Sequence, residues 1–265
     1  MLLIFFIISF VASCVGAICG IGGGIIIKPV LDVFGIFDVT VINFLSSCTV
    51  FAMTLYTIVN NKIKNISRVN TKVTLPLAIG ATLGGLCGNR CFLLLYRASS
   101  NKIRITGIQA ICLFVITLGT LLYTMFKTSI RTLSITNNLV CIVIGLLLGF
   151  LSSFLGIGGG PVNLVILFFF FSMSTKIAVE NSLYIIFFSQ FVSVFLSIIA
   201  GNSANTPVLV LIVMILGGIV GGICGRKLNR KLSDINLDKL FIILMILLII
   251  ISIRNIMNCF MGSIQ

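Results

Sequence analysis

The residues of this 265-residue chain best placed to do chemistry are neutral donors and one lysine set beside runs of glycine. "CGIGGGIIIKP", Cys19 to Pro29, carries Lys28 four residues after Gly24, and "LGIGGGPVN", Leu155 to Asn163, repeats the glycines and ends on an amide. Glycine in a helix costs about 1 kcal/mol relative to alanine, so three in a row break it. A helix that restarts after a break presents amide N–H groups and a partial positive charge, and glycines leave those amides uncovered. An anion is the ligand this favours. The first copy supplies Gly22, Gly23, Gly24 and Lys28, followed by Asn43, Ser46 and Ser47. The second supplies Gly158, Gly159, Gly160 and Asn163, followed by Asn181, Ser182 and Gln190. Two other uses compete: Lys28 can snorkel to the membrane interface, and the amides and hydroxyls can bond between helices.

Other chemistries are poorly supplied. With no histidine in the chain, histidine metal sites and histidine-activated nucleophiles are excluded. The five carboxylates, Asp32, Asp38, Glu180, Asp234 and Asp238, leave little for acid–base catalysis, so no enzyme, cofactor or metal is expected. GIGGG lacks the strand and spacing of a dinucleotide fingerprint and the Lys-Ser/Thr of a P-loop. Nine cysteines without a CxxC pair read as small hydrophobes in helices. Glu180, four residues after Lys176, reads as a local ion pair at a helix end, with proton coupling as the alternative.

The elements that hold these residues are membrane helices. The chain is 59% hydrophobic and 9% charged, with a mean hydropathy of +1.27, whereas soluble domains are about a quarter charged. Eight apolar segments recur, roughly Leu2–Ile27, Val39–Val59, Val73–Tyr96, Ile103–Phe126, Leu139–Phe171, Ile177–Ala200, Pro207–Cys224 and Leu240–Ile253. Each approaches the length needed to cross about 30 Å of hydrocarbon. The first and fifth are longer than one straight span and contain GIGGG. The formal charge of +13 gathers in short connections such as "GRKLNRKLSD", the positive-inside pattern of membrane proteins, so no nucleic-acid partner is expected. The N-terminal stretch has no basic n-region and reads as a retained first helix. The high Ile, Asn and Lys usage fits an AT-rich bacterial genome, and with it a multi-pass protein of the plasma membrane.

The chain repeats itself. GIGGG at Gly20–Gly24 returns at Gly156–Gly160, GGLCG at Gly84–Gly88 returns as GGICG at Gly221–Gly225, and Asn43 corresponds to Asn181, at offsets of 136, 137 and 138 residues. An all-α integral membrane protein of two homologous four-segment repeats follows, residues 1–130 and 131–265. The connection after the second segment carries Lys62, Lys64, Arg68 and Lys72, while its counterpart Gly201–Pro207 is uncharged. That asymmetry favours inverted repeats. The connections after the third and seventh segments are both basic, which favours parallel ones; the balance leans to inversion.

In its twin GIGGG motifs with following prolines (Pro29, Pro161), the polar starts of the next segments (Asn43; Asn181-Ser182) and the glycine-rich third and seventh segments, nearly the whole chain resembles the TauE/SafE family of sulfite and organosulfonate exporters. It departs from the family pattern in Lys28, where an apolar residue is usual, and in Pro161, which follows the glycines at once. The resemblance implies a secondary transporter for a small sulfur oxyanion, with that anion and the lipid bilayer as its partners. A channel-like anion pathway or a non-transport scaffold is the alternative. Asn43, Ser46, Ser47, Asn163, Asn181, Ser182 and Gln190 would then serve the oxyanion, and GGLCG and GGICG would serve close helix packing.

Overall fold

A computed structural model describes residues 1–98, 102–127, 129–154, 160–199, 201 and 206–261. Among them lie ten α-helices and no strand. The first five are α1 (Leu2–Cys19), α2 (Gly24–Phe34), α3 (Val39–Ile63), α4 (Thr71–Ala98) and α5 (Lys102–Phe126). The next five are α6 (Asn138–Phe154), α7 (Gly160–Phe171), α8 (Thr175–Ile199), α9 (Val208–Lys231) and α10 (Asp234–Met261). Each half therefore has five elements where the sequence suggests four segments, because the long first and fifth segments are each two helices.

The first of these breaks is a reversal. Gly20 and Gly22 take φ of +72° and +69°, backbone that a side chain disfavours, and α2 returns along α1. A Cβ on Gly16 would stand 2.5 Å from the Gly23 nitrogen, and one on Gly23 would stand 3.0 Å from the Ala12 backbone. At the far end of this hairpin the Phe5 and Phe37 rings meet, centroids 5.6 Å apart. Six helices among the described residues are long and apolar enough to cross a membrane: Leu2–Cys19, Thr40–Ile63, Gly107–Phe126, Thr175–Ile199, Val208–Lys231 and Asp234–Arg254. Helices α6 and α7 are shorter apolar ones. At 28 residues, α4 is longer but carries Lys72, Asn89 and Arg90.

Glycine stripes join the halves. Along α4, Gly80, Gly84 and Gly88 abut the carbonyls of Ile142, Leu146 and Phe150 on α6, and Gly145 and Gly149 answer against Leu77 and Ala81. Along α9, Gly221 and Gly225 abut the carbonyls of Phe10 and Cys14 on α1, and Gly217 abuts Ser9. In lipid, apolar surface gains nothing by leaving the tails, so association rests on close backbone approach at small residues. GGLCG and GGICG are thus packing motifs, as the sequence indicates. Residue numbers rise together in both pairs, so α4 is parallel to α6 and α1 to α9. Between α3 and α8 the order opposes: Asn61 meets Glu180 at 2.8 Å, while Phe51 stacks on Phe187 and lies tilted against Phe191.

The ends of α3 and α9 and the starts of α4 and α8 share one face, joined by Arg230 to Asn61 at 2.7 Å and by Thr74 to Asn181. That face carries the basic 62–72 and 226–231 stretches. Helix α4 runs from it to the opposite face.

A substitution pair tests the glycine stripes. Gly84→Ala or Gly221→Ala places a methyl on a backbone carbonyl and is expected to cost about 1–3 kcal/mol. Gly119→Ala on α5, where nothing lies within 4 Å, is expected to be neutral or to stabilise by up to about 1 kcal/mol. Thermal unfolding of the detergent-solubilised protein separates the two outcomes.

Candidate functional site

The first glycine turn closes a cavity of about 10 Å³ lined by Ile21, Gly22, Gly24, Lys28, Ser46, Val50, Ile186 and Gln190. Its volume suits about one water molecule. Three elements build it. The turn and the first helical turn of α2 bring Gly22, Gly24 and Lys28; the middle of α3 brings Ser46 and Val50; the middle of α8 brings Ile186 and Gln190. The first N–H groups of α2 have no acceptor within their own helix. The side chains of Lys28, Ser46 and Gln190 have no hydrogen-bond or ion-pair partner among the described residues. Every polar side chain here can donate, and no carboxylate lines the cavity.

The turn is held from the other half of the chain. Ser182 Oγ donates to the Gly20 carbonyl at 2.5 Å and Asn229 Nδ2 to the Ile18 carbonyl at 2.7 Å, covering carbonyls that the end of α1 leaves open. A Cβ on Gly20 would stand 2.7 Å from Val179 Cα, and one on Gly160 would stand 2.8 Å from the Ile21 carbonyl oxygen. The start of α7 therefore rests on the first glycine turn.

Beginning at the residue after Val179, a buried polar network ties the same elements together. Glu180, 3% exposed, accepts from Asn61 Nδ2 at 2.8 Å and the Arg68 backbone N–H at 3.0 Å, and pairs with Arg226. Asn181 is fully engaged. Its Oδ1 accepts from Thr74 and the Asn70 N–H, and its Nδ2 donates to the Ile177 carbonyl at 2.7 Å and the Arg68 carbonyl at 3.4 Å.

A family model described as sulfite exporter TauE/SafE matches residues 5–252. The chain belongs to the TauE/SafE family. No curated protein and no solved structure matches it. A TauE/SafE protein is a multi-pass membrane transporter of the sulfite exporter class, and not an enzyme.

In this TauE/SafE chain the residues picked from sequence separate. Gly22, Gly24, Lys28, Ser46 and Gln190 converge on the cavity. Gly23 packs against α1 and Gly160 against the turn. Ser47 is buried beside the cavity residues without lining it, and Asn43 is exposed. Asn181 and Ser182 bond backbone, so they build the turn and its neighbouring connection. Asn163 is 1% exposed and neither its Oδ1 nor its Nδ2 has a partner. Gly158 and Gly159 lie outside the described residues. Glu180 pairs with Arg226, from the next helix, instead of Lys176, whose ammonium meets the Arg230 carbonyl at 3.5 Å. Sequence reasoning passed over Arg226, Asn229 and Asn61. All three stand in basic loop-like stretches, where charge patterning reports topology and says nothing of a helix end that runs on into the protein.

The partner of Glu180 is open to test. Glu180→Gln leaves Arg226 buried without its counter-charge and is expected to cost about 3 kcal/mol, whereas Lys176→Gln is expected to stay within about 0.5 kcal/mol of wild type. Thermal unfolding in one detergent reads both; equal losses would return Lys176 to the pair.

Proposed function

We propose that the protein is a secondary transporter that exports a small sulfur oxyanion, sulfite or an organosulfonate, through the cavity at the first glycine turn. The observation that carries this reading is Lys28. A lysine without a counter-ion, beside uncovered helix-start amides, a serine and a glutamine, suits a ligand that brings negative charge and accepting oxygens. The family supplies the sulfur chemistry. The second half adds Asn163, a buried amide with no partner, one helical turn beyond Gly160.

The mechanism follows from the closure of the cavity and from the order of the helices. At about 10 Å³ the cavity cannot hold an oxyanion until α2 and its neighbours move, which supports a carrier over a channel-like pathway. The opposed α3 and α8, with the cross-pairing of α1 to α9 and α4 to α6, support two inverted repeats rocking about a central site. In this reading α4 and α6 complete eight spans, while α2 and α7 return partway. The basic 62–72 and 226–231 stretches outnumber the basic residues Arg90, Arg97, Lys102 and Arg104 at the end of α4 and the start of α5, which supports a cytoplasmic setting for the face that holds them. In a bacterial plasma membrane the potential then favours outward movement of an anion by about 2.3 kcal/mol per charge per 100 mV.

Flux in proteoliposomes tests the reading. Saturable sulfite flux with counterflow is expected, as is at least a tenfold loss of kcat/KM in Lys28→Gln, partly restored in Lys28→Arg. Gly24→Ala, whose methyl would stand 3.2 Å from Ser46 Oγ, is expected to raise KM. Unsaturable flux without counterflow would replace the carrier with a channel, and wild-type kinetics in Lys28→Gln would remove the site.

A further inference from the structure

A second cavity, of about 200 Å³, opens on the basic face and is lined by Ile66, Arg68, Lys176, Glu180, Arg226, Asn229 and Arg230. It holds four cationic side chains and one carboxylate. That carboxylate is already engaged by Asn61, the Arg68 N–H and Arg226, so the field inside the cavity is positive. Focusing by low-dielectric walls raises the local concentration of anions in such a cleft.

One group in the cavity asks for a ligand. Arg226 is 7% exposed, lines the cavity, and its Nε–H has no acceptor. Leaving a buried charged donor unpaired is costly, and its other nitrogens are held by Glu180 and Asn229. Arg68 and Arg230 are exposed and Lys176 is half-buried, so an anion from solution reaches the mouth of the cavity. Guanidinium forks match paired oxygens, which favours an oxyanion over a halide. The cavity also adjoins the glycine turn. Asn229 reaches from it to the Ile18 carbonyl at 2.7 Å, and Glu180 is next in sequence to Val179, which packs on Gly20.

We infer that this basic cavity is a second anion site, where a free oxyanion such as sulfite is captured from solution before it reaches the cavity at the glycine turn. The existence of the site stands on its own residues; its place ahead of the glycine turn rests on the function proposed above.

Calorimetric titration of the full-length chain in phosphatidylcholine nanodiscs with sodium sulfite, and with sodium chloride for comparison, tests the inference. Two classes of sulfite site are expected. The Lys176→Gln/Arg230→Gln double variant should weaken one class at least tenfold and leave the other unchanged, and Lys28→Gln should do the converse. Arg226→Lys, which keeps the charge on Glu180 but loses the Nε–H, should weaken the first class several-fold. If it fails to fold, the double variant carries the test, since both its side chains lie outside the buried core. A single class abolished by Lys28→Gln and indifferent to the double variant overturns the second site. So does chloride binding as tightly as sulfite, or a double variant that loses only co-purified phosphatidylglycerol, which would make the cavity a lipid headgroup seat. If the double variant loses its class while Lys28→Gln alters neither binding nor flux, the basic site stands and the glycine-turn site falls.

Discussion

Inside a bilayer a backbone carbonyl has no water to turn to, and α1 stops within the protein. The carbonyls of Ile18 and Gly20 are met by Asn229 and Ser182, from α9 and α8 of the other half. Much else follows from that constraint. Only because those carbonyls are taken can the chain reverse at Gly20 and Gly22, and only because it reverses do the first amides of α2 and Lys28 face a cavity.

Glycine does two different jobs in this molecule, and the neighbours decide which. Where a Cβ would meet a backbone carbonyl, as at Gly84 or Gly221, the missing side chain brings two helices together. At Gly22 and Gly24 the nearest atoms are side chains of Val50, Ile186 and Ser46, and the missing side chain leaves a small space beside donors. The same GIGGG run contains both uses, since Gly23 packs on Ala12 while its neighbours line the cavity.

The membrane class, the family and the packing role of GGLCG and GGICG were legible in the sequence because they depend on composition and local spacing. Gly22, Gly24, Lys28, Ser46 and Gln190, which line the cavity, stood out because glycine runs and polar residues in apolar segments are few. What composition could not reveal was direction. A glycine break looks the same whether the helix continues or turns back, and contacts such as that of Gly23 with α1 distinguish them. Nor could spacing show that Asn181 and Ser182 spend their hydrogen bonds on backbone, or that Glu180 reaches past Lys176 to Arg226. Those partners lie 46 to 162 residues away in sequence, beyond any local pattern.

The parallel pairing of α1 with α9 also bears on how the protein is made. The two helices are separated by most of the chain, Cys19 to Val208. At translation rates of about 5–20 residues per second, α1 waits roughly 10–40 s in the membrane with the face that will receive Gly217, Gly221 and Gly225 unmatched. During that interval its last carbonyls lack Asn229 and Ser182 as well. The first half is therefore a guest of the insertion machinery until the second half arrives.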